Sequence, residues 1–167
     1  MIRAAIVMLV AFVPMIAEAQ RSKRNERKLR ALGAIEPPGD VFRVMQIAYP
    51  ACFVAIAGEA LLRDVPLGPS FTAGPVVFAA AKALKYWAIV TLGDRWTFRV
   101  LVLPGHPLVT AGPYRLMRHP NYFGVAGELV GAALMAHAPL AGVASLLGFG
   151  SLMLARIRVE ERALGGL

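Results

Sequence analysis

Charged residues are scarce in this sequence. They make up 17% of its 167 residues, whereas a soluble globular domain has about 25%. Hydrophobic residues make up 57%, and the mean hydropathy is +0.60. One soluble core of this size cannot bury so much apolar surface, so the chain is predicted to be a single domain, residues 1–167, that faces hydrocarbon.

Cysteine is also scarce, and the common motifs for metal and nucleotide binding are absent. The one cysteine, Cys52, cannot form an intrachain disulfide, and the sequence contains no CxxC, HExxH or GxGxxG pattern. We therefore expect neither a metal nor a soluble dinucleotide-binding fold. Acidic residues are few as well, which leaves a net charge of +8. The basic residues cluster in short runs between apolar segments, a pattern that favours a membrane surface over nucleic acid.

Five apolar stretches predict an all-α integral membrane protein. They cover residues 2–19, 41–62, 71–92, 122–137 and 140–155, lengths that suit a hydrocarbon core about 30 Å thick. The last two are short and form a hairpin at Pro139. The first three make an N-terminal part, residues 1–92, and residues 93–167 hold the long connection, the hairpin and a tail.

The N-terminal region allows two alternatives. Ala17-Glu18-Ala19 resembles a signal-peptide cleavage site, but the basic run that follows disfavours export, so the first span is expected to be retained. Residues 22–32 are predicted to form a short interfacial helix that stops at Gly33. Its role is left open between attraction to anionic lipid and closure of a site.

The basic residues are unevenly divided between the two sides of the predicted bundle. Residues 20–40, 93–121 and the C-terminal tail together hold thirteen of the 18 Lys and Arg residues. The positive-inside rule then predicts an outside N-terminus and a cytoplasmic C-terminus in a bacterial plasma membrane. Close helix packing is predicted at small residues of the last two spans: Gly124, Gly127, Gly131, Gly148 and Gly150.

Polar side chains with the potential for chemistry are predicted to meet at one cytoplasmic corner. The connection 93–121 ends at the entrance of the fourth span, where Pro120 suits a first helical turn whose N–H groups favour an anion. Arg156 and Glu160 are spaced i, i+4 at the end of the fifth span. In a hairpin the start of the fourth helix and the end of the fifth are neighbours. The polar residues at these two helix ends should therefore share one site.

The order and spacing of these motifs resemble the isoprenylcysteine carboxyl methyltransferase family, integral membrane enzymes that use S-adenosylmethionine. The likeness is strongest over residues 93–164. It is carried by His106-Pro107-Leu108-Val109-Thr110-x-Gly112-Pro113-Tyr114, then Arg118-His119-Pro120-x-Tyr122, then Arg156-x-x-x-Glu160-Glu161. A further stretch, Arg21-x-x-Arg24-Asn25-Glu26 through Gly33-Ala34-x-Glu36, is similar to a bacterial subgroup that O-methylates long-chain alkylpyrones.

The resemblance implies roles for individual residues. Arg156 would be the catalytic residue and would meet the carboxylate or enolate of the acceptor, because methyl transfer depends on positioning more than on acid–base chemistry. Glu160 would face the cofactor. The remaining cofactor-binding residues that the family implies are His106, Leu108, Val109, Tyr114, His119, Pro120, Asn121 and Tyr122.

A charged residue inside a span is a further functional candidate. Glu128 lies six residues after Tyr122, about 9 Å further along the helix. It either lines the tunnel for the acceptor or pairs with Lys82 or Lys85, which are three residues apart in the third span.

The predicted function is methyl transfer from S-adenosylmethionine to an oxygen of a lipid-like acceptor in the membrane. One alternative is N- or S-methylation of a phospholipid or other lipid headgroup, although an amine acceptor would suit acidic partners better than Arg156. Another is a non-enzymatic membrane scaffold or transporter subunit, which would bind no cofactor. The oligomeric state is left open.

Overall fold

The computed structural model describes residues 1–63 and 69–165, and this part of the chain is helical. Its long helices are α1 (Ile2–Ala31), α2 (Phe42–Leu62), α3 (Pro69–Leu92), α4 (Pro120–Ala136) and α5 (Pro139–Gly165). Two short 3-10 turns, Gly93–Arg95 and Gly112–Arg115, lie in the connection between α3 and α4. The extended pairing recorded in the described residues is one antiparallel bridge, between Ile35 and Val102. The predicted all-α fold class is confirmed.

Four of these helices, α1, α2, α3 and α5, are long and apolar enough to cross a membrane. Helix α4 has 17 residues, about 25 Å of helix against a core of about 30 Å. Large apolar side chains cover the outside of the bundle instead of being buried in it: Leu9, Ile16, Ile47, Leu61, Val76, Val90, Leu147 and Leu154 are all exposed. The chain is an integral membrane protein.

Helix α1 differs from the prediction. It runs without a break for 30 residues, so the separate interfacial helix predicted over residues 22–32 is wrong. No proline or glycine lies between Met15 and Leu32 to interrupt it. Gly33 ends the helix as expected, with a φ of +86° that an L side chain rarely adopts. The basic segment is therefore a polar extension of a membrane helix.

Small residues bring α3 and α4 together, as predicted. A Cβ atom at Gly124 would lie 2.8 Å from Cβ of Lys85, one at Gly127 2.7 Å from Cβ of Ala81, and one at Gly131 2.6 Å from the backbone nitrogen of Phe78. The same prediction for Gly148 and Gly150 is wrong, because a Cβ at either would meet nothing within 4 Å. Helix α5 approaches α4 through Gly142 instead, which faces Ala133.

The hairpin of α4 and α5 turns at the predicted place. His137 adopts the left-handed conformation after α4, and α5 begins at Pro139. The carboxylate of Glu59 accepts hydrogen bonds from the backbone nitrogens of Leu140, at 3.3 Å, and Ala141, at 2.5 Å. An anion at a helix N-terminus is favourable, so Glu59 fixes this end of the hairpin to α2. Tyr122 and Arg156 consequently lie together near the other end.

The polar end of α1 holds the connection between α3 and α4 in place. The Ser22 hydroxyl accepts a hydrogen bond from the Phe98 nitrogen at 2.8 Å. The amide of Asn25 donates to the carbonyl oxygens of Gly93, at 3.0 Å, and Trp96, at 2.7 Å. Because both side chains are buried, this segment supports the wall of the site described below. Attraction of its basic side chains to anionic lipid stays a prediction.

Candidate active site

Three side chains converge on the carboxylate of Glu160. The Tyr122 hydroxyl donates to Oε1 at 2.5 Å, Nε of Arg156 lies 3.3 Å from Oε1, and Nδ1 of His119 lies 3.4 Å from Oε2. His119 and Tyr122 lie at the start of α4. Arg156 and Glu160 lie toward the end of α5, the end that is predicted to be cytoplasmic. The structure thus brings together the two motifs that hairpin topology predicted to meet.

Asp40 belongs to this corner, and the sequence analysis missed it. Its carboxylate accepts hydrogen bonds from the backbone nitrogens of Phe42, at 3.0 Å, and Val100, at 2.9 Å. It also lies 3.4 Å from Nη1 of Arg156. The side chains of Arg156 and Asp40 are 7% and 4% exposed, so this ion pair is buried. An aspartate directly before an apolar helix is a typical signal for the start of that helix, so the sequence did contain a sign of the position of Asp40.

The electrostatics of the corner favour the protonated form of His119 and the neutral form of Tyr114. The hydrogen bond to Glu160 raises the pKa of His119 above its ordinary value; burial opposes this rise, and Glu161 adds to it. Burial, and then the negative charge of Glu160, raise the pKa of Tyr114 well above its ordinary value. His119 therefore has a stabilised imidazolium form, and Tyr114 stays protonated.

A cavity of about 820 Å³ opens beside this corner, within the range of about 300–1,000 Å³ of small-molecule sites. Apolar side chains of the membrane helices line one part of it, among them Phe12, Met15, Met45 and Phe149. The predicted site residues that line it are Leu108, Val109, Tyr114, His119, Asn121, Tyr122, Arg156 and Glu160.

Three predicted site residues lie outside the cavity lining. His106 is exposed, and its Nδ1 lies 3.2 Å from the Pro104 carbonyl oxygen. The structure therefore does not bring His106, which was predicted to bind the cofactor, into the lining of the cavity. Pro120 is buried in the first turn of α4, where its fixed φ suits the helix start. Glu128 lies deeper in α4, within a second polar cluster.

This second cluster, which we call the membrane cluster, consists of Glu18, Tyr49, Lys82, Lys85 and Glu128. Nζ of Lys82 lies 3.2 Å from Glu18 and 3.0 Å from Glu128, and Nζ of Lys85 lies 2.7 Å and 3.4 Å from the same carboxylates. The Tyr49 hydroxyl donates to Glu128. The predicted pairing of Glu128 with a lysine of the third span is confirmed. The participation of Glu18 was missed, because its long-range contacts leave no local pattern.

The polar atoms of the cavity fit S-adenosylmethionine. Oδ1 of Asn121 is buried and has no hydrogen-bond partner in the part of the chain that the structure describes. It can accept a hydrogen bond from an N–H or O–H group of a ligand. The carboxylate of Glu160 suits an ammonium group, whereas the His119 imidazolium and the first turn of α4 suit a carboxylate. In residues 1–63 and 69–165, no group of three His, Cys, Asp or Glu residues is arranged to hold a metal ion.

Comparisons with known proteins point in the same direction. The family model for the isoprenylcysteine carboxyl methyltransferase (ICMT) family matches residues 74–165. The uncharacterized protein YpbQ of Bacillus subtilis is 29% identical over 159 residues, which cover 95% of each chain. A probable protein-S-isoprenylcysteine O-methyltransferase of Oryza sativa subsp. indica is 37% identical over 90 residues, 53% of this chain and 47% of the plant protein.

A second plant relative gives a similar result. Protein-S-isoprenylcysteine O-methyltransferase A of Arabidopsis thaliana is 33% identical over 90 residues, 53% of this chain and 46% of its own length. The similarity to the plant enzymes therefore spans about half of each protein. No solved structure is significantly similar to the chain.

Proposed function

The chain belongs to the isoprenylcysteine carboxyl methyltransferase family, and on that premise we propose that it methylates an oxygen atom of a lipid-like acceptor in the membrane. The donor is S-adenosylmethionine. The observation that carries the proposal is a single cavity whose lining joins the polar corner around Glu160 to apolar side chains of α1, α2 and α5. A water-soluble donor and a lipid acceptor can meet in such a cavity.

The donor would bind at the polar end of the cavity. Glu160 would bind its ammonium group or a ribose hydroxyl, Asn121 would accept a hydrogen bond, and His119 would face its carboxylate. Tyr114 and Tyr122 supply aromatic surface, and Leu108 and Val109 line the adjoining wall. S-adenosylmethionine supplies an electrophilic methyl group on a sulfonium, so the protein itself needs chiefly to position the acceptor.

Arg156 is the residue that would orient an anionic acceptor oxygen. Asp40 and Glu160 hold its guanidinium on two sides, and a guanidinium has five N–H donors, more than these two contacts use. An ionised carboxylate or enolate then needs no general base. An amine acceptor would gain nothing from this cation, so O-methylation is favoured over N-methylation.

Two kinds of acceptor suit such a site. The plant relatives are named for O-methylation of protein-S-isoprenylcysteine, which is a lipidated carboxylate. The likeness of residues 21–36 to a bacterial subgroup favours a polyketide-type lipid such as a long-chain alkylpyrone. We propose the second class, because that likeness extends the resemblance to the N-terminal half.

The polar corner is proposed to face the cytoplasm of a bacterial plasma membrane. Lys28 pairs with Asp94 at 2.9 Å and Arg99 with Glu36 at 2.7 Å, so the basic end of α1 and the connection lie at the same end of the bundle. The positive-inside rule assigns such an end to the cytoplasm, where S-adenosylmethionine is made.

Transfer of labelled methyl groups tests the function. The purified protein is reconstituted with a bacterial membrane lipid extract and methyl-labelled S-adenosylmethionine, and we expect the label in the extracted lipid. Arg156→Ala should lower the transfer rate by about a hundredfold and leave donor binding unchanged. Arg158→Ala is the control, because Arg158 lies on the same helix and is exposed. No labelled lipid, or equal loss in both variants, would contradict the proposal.

A further inference from the structure

The membrane cluster consists of buried charges inside the bundle. The side chains of Glu18, Lys85 and Glu128 are 2%, 3% and 1% exposed. Replacing such a buried ion network by apolar residues is often neutral or stabilising, so stability alone is a weak explanation for it. Ionisable residues within membrane helices are functional candidates by default.

The cluster is open to the same cavity as the polar corner. Glu18, Tyr49 and Lys85 all line this cavity. The cluster lies deeper along the helices, because Glu128 follows Tyr122 by six residues of α4, or about 9 Å of helix. The cavity therefore has two polar regions that are separated along its length.

Lys85 is the cluster member best suited to bind a ligand. Its ammonium group has three N–H donors and contacts two carboxylates, those of Glu18 and Glu128. Its Nζ also lies 5.3 Å from the ring centroid of Tyr49, which packs against the ring of Phe149. Because two ammonium groups balance two carboxylates, the cluster is neutral and suits an uncharged oxygen.

We propose that Lys85, beside the ring of Tyr49, forms a second polar subsite, which donates a hydrogen bond to a carbonyl or hydroxyl oxygen in the chain of the acceptor. This inference rests on the proposed function and specifies the acceptor further. The acceptor carries the oxygen that is methylated near Arg156 and a second oxygen deeper in the cavity, next to Lys85. Among polyketide-type lipids, one that keeps an oxygen in its chain fills the subsite, whereas an alkylpyrone with a purely hydrocarbon chain leaves it unused.

Lys82 provides a matched control. It contacts the same two carboxylates as Lys85 but does not line the cavity. If the cluster only fastened the helices together, the two lysines would be equivalent. A binding role distinguishes them, because only Lys85 can reach a ligand in the cavity.

The test compares two charge-balanced double variants, Lys85→Met/Glu18→Gln and Lys82→Met/Glu18→Gln. Each removes one ammonium group and the same carboxylate, so each leaves one ion pair. The detergent-purified proteins are saturated with S-adenosylhomocysteine and titrated by calorimetry with palmitate and with a series of mid-chain keto palmitates. The wild type should bind the best keto probe about tenfold tighter than palmitate, as a hydrogen bond to a charged donor implies.

The Lys85 variant should lose this keto preference and the Lys82 variant should keep it. A wild type that binds S-adenosylhomocysteine but does not distinguish the probes would overturn the inference alone, as would equal loss of preference in both variants. A wild type that does not bind S-adenosylhomocysteine would overturn the proposed function.

Discussion

Glu160 holds the polar corner together because donors from α4 and from its own helix, α5, converge on one carboxylate. His119 and Tyr122 approach it from α4 and Arg156 from the preceding turn of α5. Asp40 restrains Arg156 from the opposite side. A partly buried carboxylate with this many partners has little freedom to move, which is the preorganisation that a positioning mechanism needs.

His119 should make the stability of the protein depend on pH. Its pKa is raised in the folded state, first by Glu160 and further by Glu161, which also contacts Arg118. The stabilisation is complete below the ordinary histidine pKa of about 6.5 and is lost as the pH rises through the raised folded-state pKa. The difference in unfolding temperature between wild type and His119→Gln should therefore shrink as the pH increases over this window.

Thermal unfolding of both proteins in detergent across a pH series measures this difference. A difference that stays constant, or that grows as the pH rises, would contradict the assigned ion pair between His119 and Glu160.

At the residue scale, prediction from sequence succeeded where a helix supplied the geometry. The i, i+4 spacing of Arg156 and Glu160 and the hairpin sufficed to predict their meeting with Tyr122. His106 lies on an irregular stretch without such a constraint, and its expected place in the pocket came from family resemblance alone. Glu18 makes contacts across many residues of sequence, which no local pattern records, whereas Asp40 stands directly before an apolar helix, a local signal that was not used.

At the scale of the elements, α3 and α4 form the tightest pair because glycines on both helices remove the side chains between them. Gly74 of α3 faces α4 near Met135, and Gly131 of α4 faces Phe78 of α3. Lipid provides little hydrophobic driving force between membrane helices, so this close approach is a main source of their association.

Gly131→Ala should destabilise the bundle. Its new Cβ would lie 2.6 Å from the backbone nitrogen of Phe78, so α3 and α4 must separate, and overpacking of this kind costs about 1–3 kcal/mol. Gly148→Ala is the matched control, since nothing lies within 4 Å of its new Cβ. The measurement is the unfolding temperature in detergent. Equal unfolding temperatures for the two variants would show that the glycine contact between α3 and α4 is not required.

The bounds of the helices were predictable to within a few residues wherever proline or glycine marked an end, as at Pro139 and Gly33. The continuity of α1 was not, because its basic extension has the composition of an interfacial segment and only tertiary contacts reveal its role. Ser22 and Asn25 form hydrogen bonds with the connection that follows α3. The partners in each bond are about seventy residues apart in sequence.

At the scale of the whole molecule, the two halves of the chain contribute different parts of the cavity. The family match covers residues 74–165, which include α4, α5 and most of the polar corner. Residues before it supply Asp40, the apolar wall of α1 and α2, and two members of the membrane cluster. Under the proposed function, the C-terminal half would bind the donor and contact the acceptor through Arg156 and Lys85, and the N-terminal half would supply the rest of the cavity wall.

The corner around Glu160 is proposed to bind S-adenosylmethionine. Calorimetric titration of the detergent-purified protein with S-adenosylhomocysteine, the demethylated product, tests it most directly. We expect saturable binding that Glu160→Gln weakens by about tenfold or more, because a charge-assisted hydrogen bond is lost. Glu59→Gln, which changes a carboxylate at the other end of the hairpin, should leave the affinity unchanged. Folded protein that shows no binding, or equal weakening by both substitutions, would show that the corner around Glu160 does not bind the donor.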